Sequence, residues 1–571
     1  MTEKRSVSQI QFGHLPQQTV DIRGGIWLVQ EWMGSILRQN IDERALKREL
    51  CRLASPWAAT NRDGGFVLDL ERRNAPVVVR SLNRDRGVRL KPFPEIWNCR
   101  TCFRIHDNPD GRCKCGSSSR KGQLQFVAYS ESTGELREPS IPRCPTHDES
   151  RINLPGTATG SEVTFDCPTC SRVLRGFGYM RSSAGDRMSI NVHRAASVFT
   201  PRNVVVVNPP SLERMRALQD AGGGTRALEW LLDSMPGRSM LEVKPTKETL
   251  RRQLAASGLD EGTIERMLSV AAEADGGSRE DLRLTPEVRT VAEEQAMTVA
   301  LALSESRVTI SDLERGLDAM SPLGHRYGVR YPLALRSAGL ERVELVDKFP
   351  ILTGHFGYTR GPSEPGAAHL VTYRDRRGTY EIYGEIAETE ALYIGLEPLK
   401  VAEWLELQGF HLGDYADAKG ARSSILSAMT AADANVDEAF RALLTLIHSY
   451  AHRLIRFTAV HAGIELHALS ELLVPSHLGF FVYAATRGDF VLGGLQALFE
   501  NDLDRLLHDF TEGEHRCALD PGCAKAGGAC VACLHLGEPS CRLFNGFLDR
   551  GCLSGARGYL SVCVEGANGA R

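Results

Sequence analysis

Cysteine placement constrains this 571-residue chain more than any other feature. Of its 15 cysteines, seven lie from Cys99 to Cys170 and seven from Cys517 to Cys563, leaving Cys51 alone. The amino terminus, MTEKRSVSQIQFGH, is polar and lacks the apolar core and small-residue cleavage site of a secretory signal, so a cytoplasmic location is expected. Thiols stay reduced in that compartment, and clustered ones there point to metal rather than to disulfides.

The spacing within the clusters identifies the ligands. Cys99-Arg-Thr-Cys102 is followed after a ten-residue loop by Cys113-Lys-Cys115, and two close pairs on separate turns can converge on one tetrahedral Zn²⁺. Cys144-Pro-Thr-His147 and Cys167-Pro-Thr-Cys170 repeat the arrangement with one histidine. Four protein ligands close a coordination sphere and leave no position for an activated water, so both sites read as structural and no catalytic residue is assigned. The last cluster offers Cys517, Cys523, Cys530, Cys533 and Cys541 for four positions, with His535 as a remote further candidate. Cys530, Cys533 and Cys541 are the expected ligands, and the fourth is open between Cys517 and Cys523. Cys51, Cys552 and Cys563 read as ordinary structural thiols. About three zinc ions per chain are expected.

A chain this long exceeds one hydrophobic core. The expected class is a multidomain α+β protein with zinc-ribbon-like knuckles near the amino-terminal third, a helical middle and an α+β carboxy-terminal zinc-binding domain. The expected segments are an α+β region at 1–98, a tandem zinc region at 99–200, a mostly helical insert at 201–330, a β-rich region at 331–430 and the terminal domain at 431–571. PVVVRSLNRDRGVRLKPFP reads as strands and loops, NVVVVNPP (203–210) as a buried strand and HLVTYRDRRGTYEIYGEI as a hairpin. Helix starts are expected at Thr246, with a stop at Gly258, and at Thr285–Pro286–Glu287. The glycine runs at 222–224 and 276–277 read as joints. A long helix is predicted over 434–462, with Val436, Phe440, Leu443, Leu444, Ile447, Ala451, Leu454 and Ile455 on one stripe. GFFVYAAT (479–486) should be a strand and 493–510 one amphipathic helix.

His448 and His452 stand i, i+4 on the long helix. A third ligand and the glutamate of an HExxH site are missing, so they read as satisfied histidines bordering the core, with Glu471 a candidate hydrogen-bond partner. GGGTRA (222–227) lacks the lysine of a phosphate loop and reads as a loop, no G-x-S-x-G elbow occurs, and no apolar run approaches the ~20 residues that span a bilayer. A net charge of −3 gives no global basic footprint. Any DNA contact must come from a local patch, such as residues 80–91 or the Arg and Lys of the first zinc loop.

Several stretches together resemble the DrmB subunit of bacterial DISARM anti-phage systems: RSVSQIQFG, FPEIWNCRTC, VHRAASVFTPRNVVVVNPP, EIAETEALYIGLEPLKVAEWLE, LIHSYAHRLI, LSELLVPSHLGFFVYAATRGDFVLGGLQAL, CALDPGC, GGACVACLHLGEPSC and FNGFLDR. The carboxy-terminal part resembles the MrfA-type zinc-binding (MZB) domain that this family shares with some DNA-repair helicases. The resemblance implies zinc ligation by Cys530, Cys533 and Cys541 with Cys517 or Cys523. It also implies a non-enzymatic subunit that pairs with a separate DrmA-type helicase and engages foreign DNA through that complex, with no membrane partner. The competing expectations are a zinc-dependent nuclease or hydrolase using His448, His452 and Glu471, and a structural adaptor that never touches DNA.

Overall fold

The computed structural model describes residues 2–4, 10, 13–38, 41–58, 65–154, 160–207, 212–241, 262–267, 283–304, 306–484, 493–513, 516–525, 527–537, 540, 541, 543 and 545–562. The expected helix from Thr246 to Gly258, the joint at 276–277 and Cys563 lie outside the described residues. The fold is mixed α+β with several sheets, and the chain divides into two compact units. The first holds Met1–Val206, Ile351–Ile386 and Thr486–Phe490, and the second Val207–Pro350, Ala387–Ala485 and Val491–Arg571. Segments 1–98 and 99–200 thus fall in the first unit, while 331–430 is shared between both, because the chain passes between units within the strands Leu340–Thr359 and Tyr380–Leu396.

In the first unit, alternation of buried and exposed residues builds an antiparallel sheet in the order Thr2–Glu3, Val88–Pro92, Gly25–Trp32, Thr19–Ile22. The 76–94 region does form two strands, but Val77–Ser81 joins Tyr380–Tyr383 in parallel rather than its neighbour Val88–Pro92. Helix Glu43–Ala58 buries Leu46, Leu50, Ala54 and Trp57 at the expected helical spacing. The hairpin turns at Asp375–Gly378, where Gly378 at φ +88 donates to the Asp375 carbonyl and Arg374 bridges Tyr380. The region expected to bind zinc consists of three short three-stranded sheets around a small core that includes Ile105, Phe126, Ile152 and Phe165.

The buried guanidinium of Arg360 ties distant loops of this unit together. It donates to the carbonyls of Gly134 (2.9 Å), Gln17 (2.9 Å) and Val198, and lies 4.8 Å over the Tyr358 ring. A cation so far from water is tolerated only because carbonyl dipoles and ring faces replace its hydration.

The second unit is built on the helix Glu438–His461. Asp437 caps it by accepting from the Phe440 N–H at 2.7 Å, and Phe440, Leu443, Leu444, Ile447, Ala451, Leu454 and Ile455 are buried on its inner stripe. Val436 precedes the cap and is 71 % exposed, so it is not part of that stripe. The stripe packs with the antiparallel strands Leu469–Val474 and Gly479–Ala484. Thr285 caps Pro286–Leu303 as expected, accepting from Val288 N–H. Two further expectations fail. The glycines at 222–224 open the helix Gly223–Leu232 rather than forming a loop, and a Cβ on Gly224 would stand 3.0 Å from that of Glu293, so glycine there permits close helix packing. The 493–510 helix is broken into Gly494–Asn501 and Leu503–Glu512, because Asp502 leaves helical geometry at φ −134. Among the described residues, no helix is long and apolar enough to cross a membrane.

Replacing Arg360 by Met should destabilise the first unit by about 2–4 kcal/mol, since three carbonyls lose their donor. Urea unfolding of the two proteins measures this, and an unchanged midpoint would refute it.

Candidate metal centres

Cys99, Cys102, Cys113 and Cys115 converge, as do Cys144, His147, Cys167 and Cys170. The local cause is one turn used three times. From Cys99, Cys144 and Cys167 the chain folds back so that the residue four positions on donates to that cysteine's carbonyl at 2.8–2.9 Å. Those residues, Phe103, Asp148 and Ser171, all take left-handed backbone (φ +57, +53 and +57). The turn points the first and fourth side chains, Cys99 with Cys102 and Cys144 with His147, toward a common centre.

The spacings test whether a metal fits. A tetrahedron of Zn–S bonds of about 2.3 Å has edges of about 3.75 Å, and one with an imidazole nitrogen has mixed edges of about 3.5 Å. Cys99 and Cys115 sulfurs are 3.7 Å apart and those of Cys102 and Cys113 3.6 Å. In the second group, His147 Nδ1 lies 3.5 Å from Cys144 and 3.6 Å from Cys167. All these separations far exceed the ~2.05 Å of a disulfide. Both groups can hold a zinc ion.

The third group differs from expectation. Cys517, Cys523, Cys530 and Cys533 converge, with sulfur separations of 3.5 Å (Cys517–Cys530) and 3.7 Å (Cys523–Cys533 and Cys530–Cys533). Both Cys517 and Cys523 therefore take part, and Cys541 does not. Asp520 shapes the loop between them, accepting from the N–H groups of Cys517 and Ala524. His535 stands outside the group, its carbonyl accepting from Arg456.

Cys541 instead meets His448, His452 and Glu471, and the four ligand atoms lie within 4.8 Å of one another. The expectation that the two histidines lack further ligands is thereby overturned. Glu471 is their partner, but so is a cysteine 93 residues away from His448. Sequence reading missed the group because its members come from a helix, a strand and a loop with no shared motif. The one available signal was an acidic residue, Glu471, inside the otherwise apolar run LSELLV.

Backbone donors hold several thiols ready as thiolates. Burial raises the Cys99 thiol, but the N–H groups of Cys102 and Thr101 outweigh it and bring the pKa down to about 6. The Thr146 N–H is the main cause of the same fall to about 6 at Cys144, and at Cys530 burial is outweighed by the Ala532 N–H together with the neighbouring thiols to give about 7. Cys102 and Cys523 are driven the other way, to about 12, chiefly by burial and then by neighbouring sulfurs. Within one group the first thiolate thus opposes formation of the next, and a bound cation relieves that repulsion.

Residues 6–198 match a family described as Domain of unknown function (DUF8724), a stretch that contains both amino-terminal groups. No curated protein matches the chain.

A depressed thiol pKa contributes stability that is complete above the unfolded value near 9 and is lost as pH falls through about 6. Zinc bound by the first two groups should accordingly be retained at pH 7.5 and released on acidification through pH 6, read with a chromogenic chelator. Chelation at neutral pH should raise hydrogen exchange most across 99–175, where little apolar core remains without metal. Zinc retained well below pH 6 would contradict the first outcome, and uniform exchange before and after chelation the second.

Proposed function

We propose that this chain is a zinc-stabilised, non-enzymatic subunit of the DrmB kind, which engages DNA beside a separate DrmA-type helicase in bacterial anti-phage defence. The carboxy-terminal groups would then belong to an MZB-type domain. The non-enzymatic part rests on the metal groups: each supplies four protein donors, which closes a tetrahedral centre to water. The hydrolase alternative is disfavoured because His448, His452 and Glu471 are fully buried, with no face for a substrate.

The observation that carries the DNA contact is a short hairpin at 179–188. Ser182 donates to the Asp186 carbonyl at 2.8 Å, Arg181 pairs with Arg187 across it, and both guanidiniums stand over Tyr179, at 5.3 and 5.8 Å. Tyr179 is nevertheless 62 % exposed. An exposed ring with two cations beside it is a platform on which a base can stack while the guanidiniums meet phosphate. Residues 80–91 are a poorer candidate, since Arg80, Arg89 and Lys91 pair with Glu381, Glu31 and Glu95.

Fluorescence anisotropy with a single-stranded oligonucleotide, over a salt series, tests this reading on the full chain and on its co-purified helicase complex. Tyr179→Ala should weaken binding by about 1–3 kcal/mol for one stacked base, and Arg181→Ala with Arg187→Ala should lower the salt slope by about 1.4. Salt-independent or absent binding in both preparations would leave the adaptor without DNA contact as the correct reading.

A further inference from the structure

We infer that His448, His452, Glu471 and Cys541 form a fourth, fully buried zinc site that fastens the carboxy-terminal loop to the long helix. The spacings fit the ion. A tetrahedron of nitrogen, oxygen and sulfur donors at zinc distances has edges of about 3.3–3.6 Å. His448 Nε2 lies 3.3 Å from Cys541 Sγ and 3.0 Å from Glu471 Oε1, and His452 Nε2 lies 3.3 Å from the same oxygen, all within about 0.3 Å of those edges.

The surroundings also fit. His452 Nδ1 is 2.9 Å from the Leu534 carbonyl and His448 Nδ1 3.3 Å from that of Phe547. A carbonyl only accepts, so each Nδ1 carries the proton and each neutral ring turns the lone pair of Nε2 inward. This outer hydrogen bond is the one that metal-bound histidines make. The Asn545 N–H donates to Cys541 Sγ at 3.2 Å, as it would to a thiolate, and the Glu471 N–H donates to the Ser540 carbonyl. Asn545 closes the loop by exchanging two 2.9 Å hydrogen bonds with Leu536.

Charge balance then decides between a metal and a proton network. Two imidazole lone pairs and a carboxylate converge with only the Cys541 S–H as a neutral donor, and Glu471 Oε2 has no hydrogen-bond partner among the described residues. Satisfying the group with protons requires either a neutral Glu471 acid, which leaves Oε2 buried without a donor, or imidazolium rings whose centroids are 4.3 Å apart where both histidines and Glu471 are 0 % exposed. Like charges so close and so dry are strongly unfavourable. One divalent cation satisfies all four donors. The mix of thiolate, imidazole and carboxylate in tetrahedral array selects zinc.

Burial and four protein donors make the site structural. Its consequence lies one residue away: the Leu534 carbonyl that orients His452 follows Cys533 of the third group, so the buried ion sets where the Cys517–Cys533 module sits on the helix.

Metal analysis of the purified full-length chain is expected to give four zincs, with X-ray absorption averaging about three sulfurs and one nitrogen or oxygen per zinc. Glu471→Gln, which keeps shape and hydrogen bonding, and Cys541→Ser should each lower the count from four to three, while Cys530→Ser with Cys533→Ser removes a different ion and Cys541→Ser added to them removes a second. Three zincs in folded wild-type protein, with about eleven sulfurs shared among them and no change on Glu471→Gln, would overturn the site. If a variant fails to fold, the wild-type count and sulfur average decide alone.

Discussion

Clusters of electron-pair donors placed to hold a cation organise much of this protein. At four places, sulfur, imidazole and carboxylate donors are held at the edge lengths of a zinc tetrahedron, in surroundings where thiolates would otherwise repel one another. Apolar packing is thin around three of these places. Hydrophobic burial near the first two groups amounts to a few side chains such as Ile105, Ile152 and Phe165, and near the third to little beyond Leu534 and Leu548. A metal bound there would therefore be coupled to folding.

The fourth group stands apart because it is embedded in a large core. Helix Glu438–His461 already buries a continuous stripe against the strands Leu469–Val474 and Gly479–Ala484. Burial pushes the Glu471 carboxyl toward neutrality, and only positive charge beside it, on His448 and His452 or on a bound ion, keeps it ionised. Burial and Glu471 likewise raise the Cys541 thiol far above its ordinary value. Both costs are what a shared cation removes.

In the proposed role, rigidity is the contribution of the amino-terminal knuckles. A base-stacking ring is useful only if its position survives the entropy of a loop, and the hairpin bearing Tyr179 follows directly from the strand Val173–Arg175 that continues the second metal group. The carboxy-terminal module would serve the helicase partner, with its placement set by the helix.

Local sequence determined much of this. Paired cysteines three residues apart, the Asp437 and Thr285 caps, the stripe from Phe440 to Ile455 and the strand at 200–207 depend on residues near in the chain, so spacing and periodicity expose them. The first two metal groups were legible for that reason. Tertiary structure alone decided which cysteines share the third centre, because five thiols in one stretch satisfy several groupings and only the docking of Leu534 and Phe547 against the helix histidines draws Cys541 away. It also decided the role of Glu471 and the unbroken helix start at Gly223, where packing against Glu293 outweighed the turn preference of three glycines. The physical reason is common to these cases: local preferences are a few tenths to one kcal/mol per residue, and burial of a whole face or charge exceeds them.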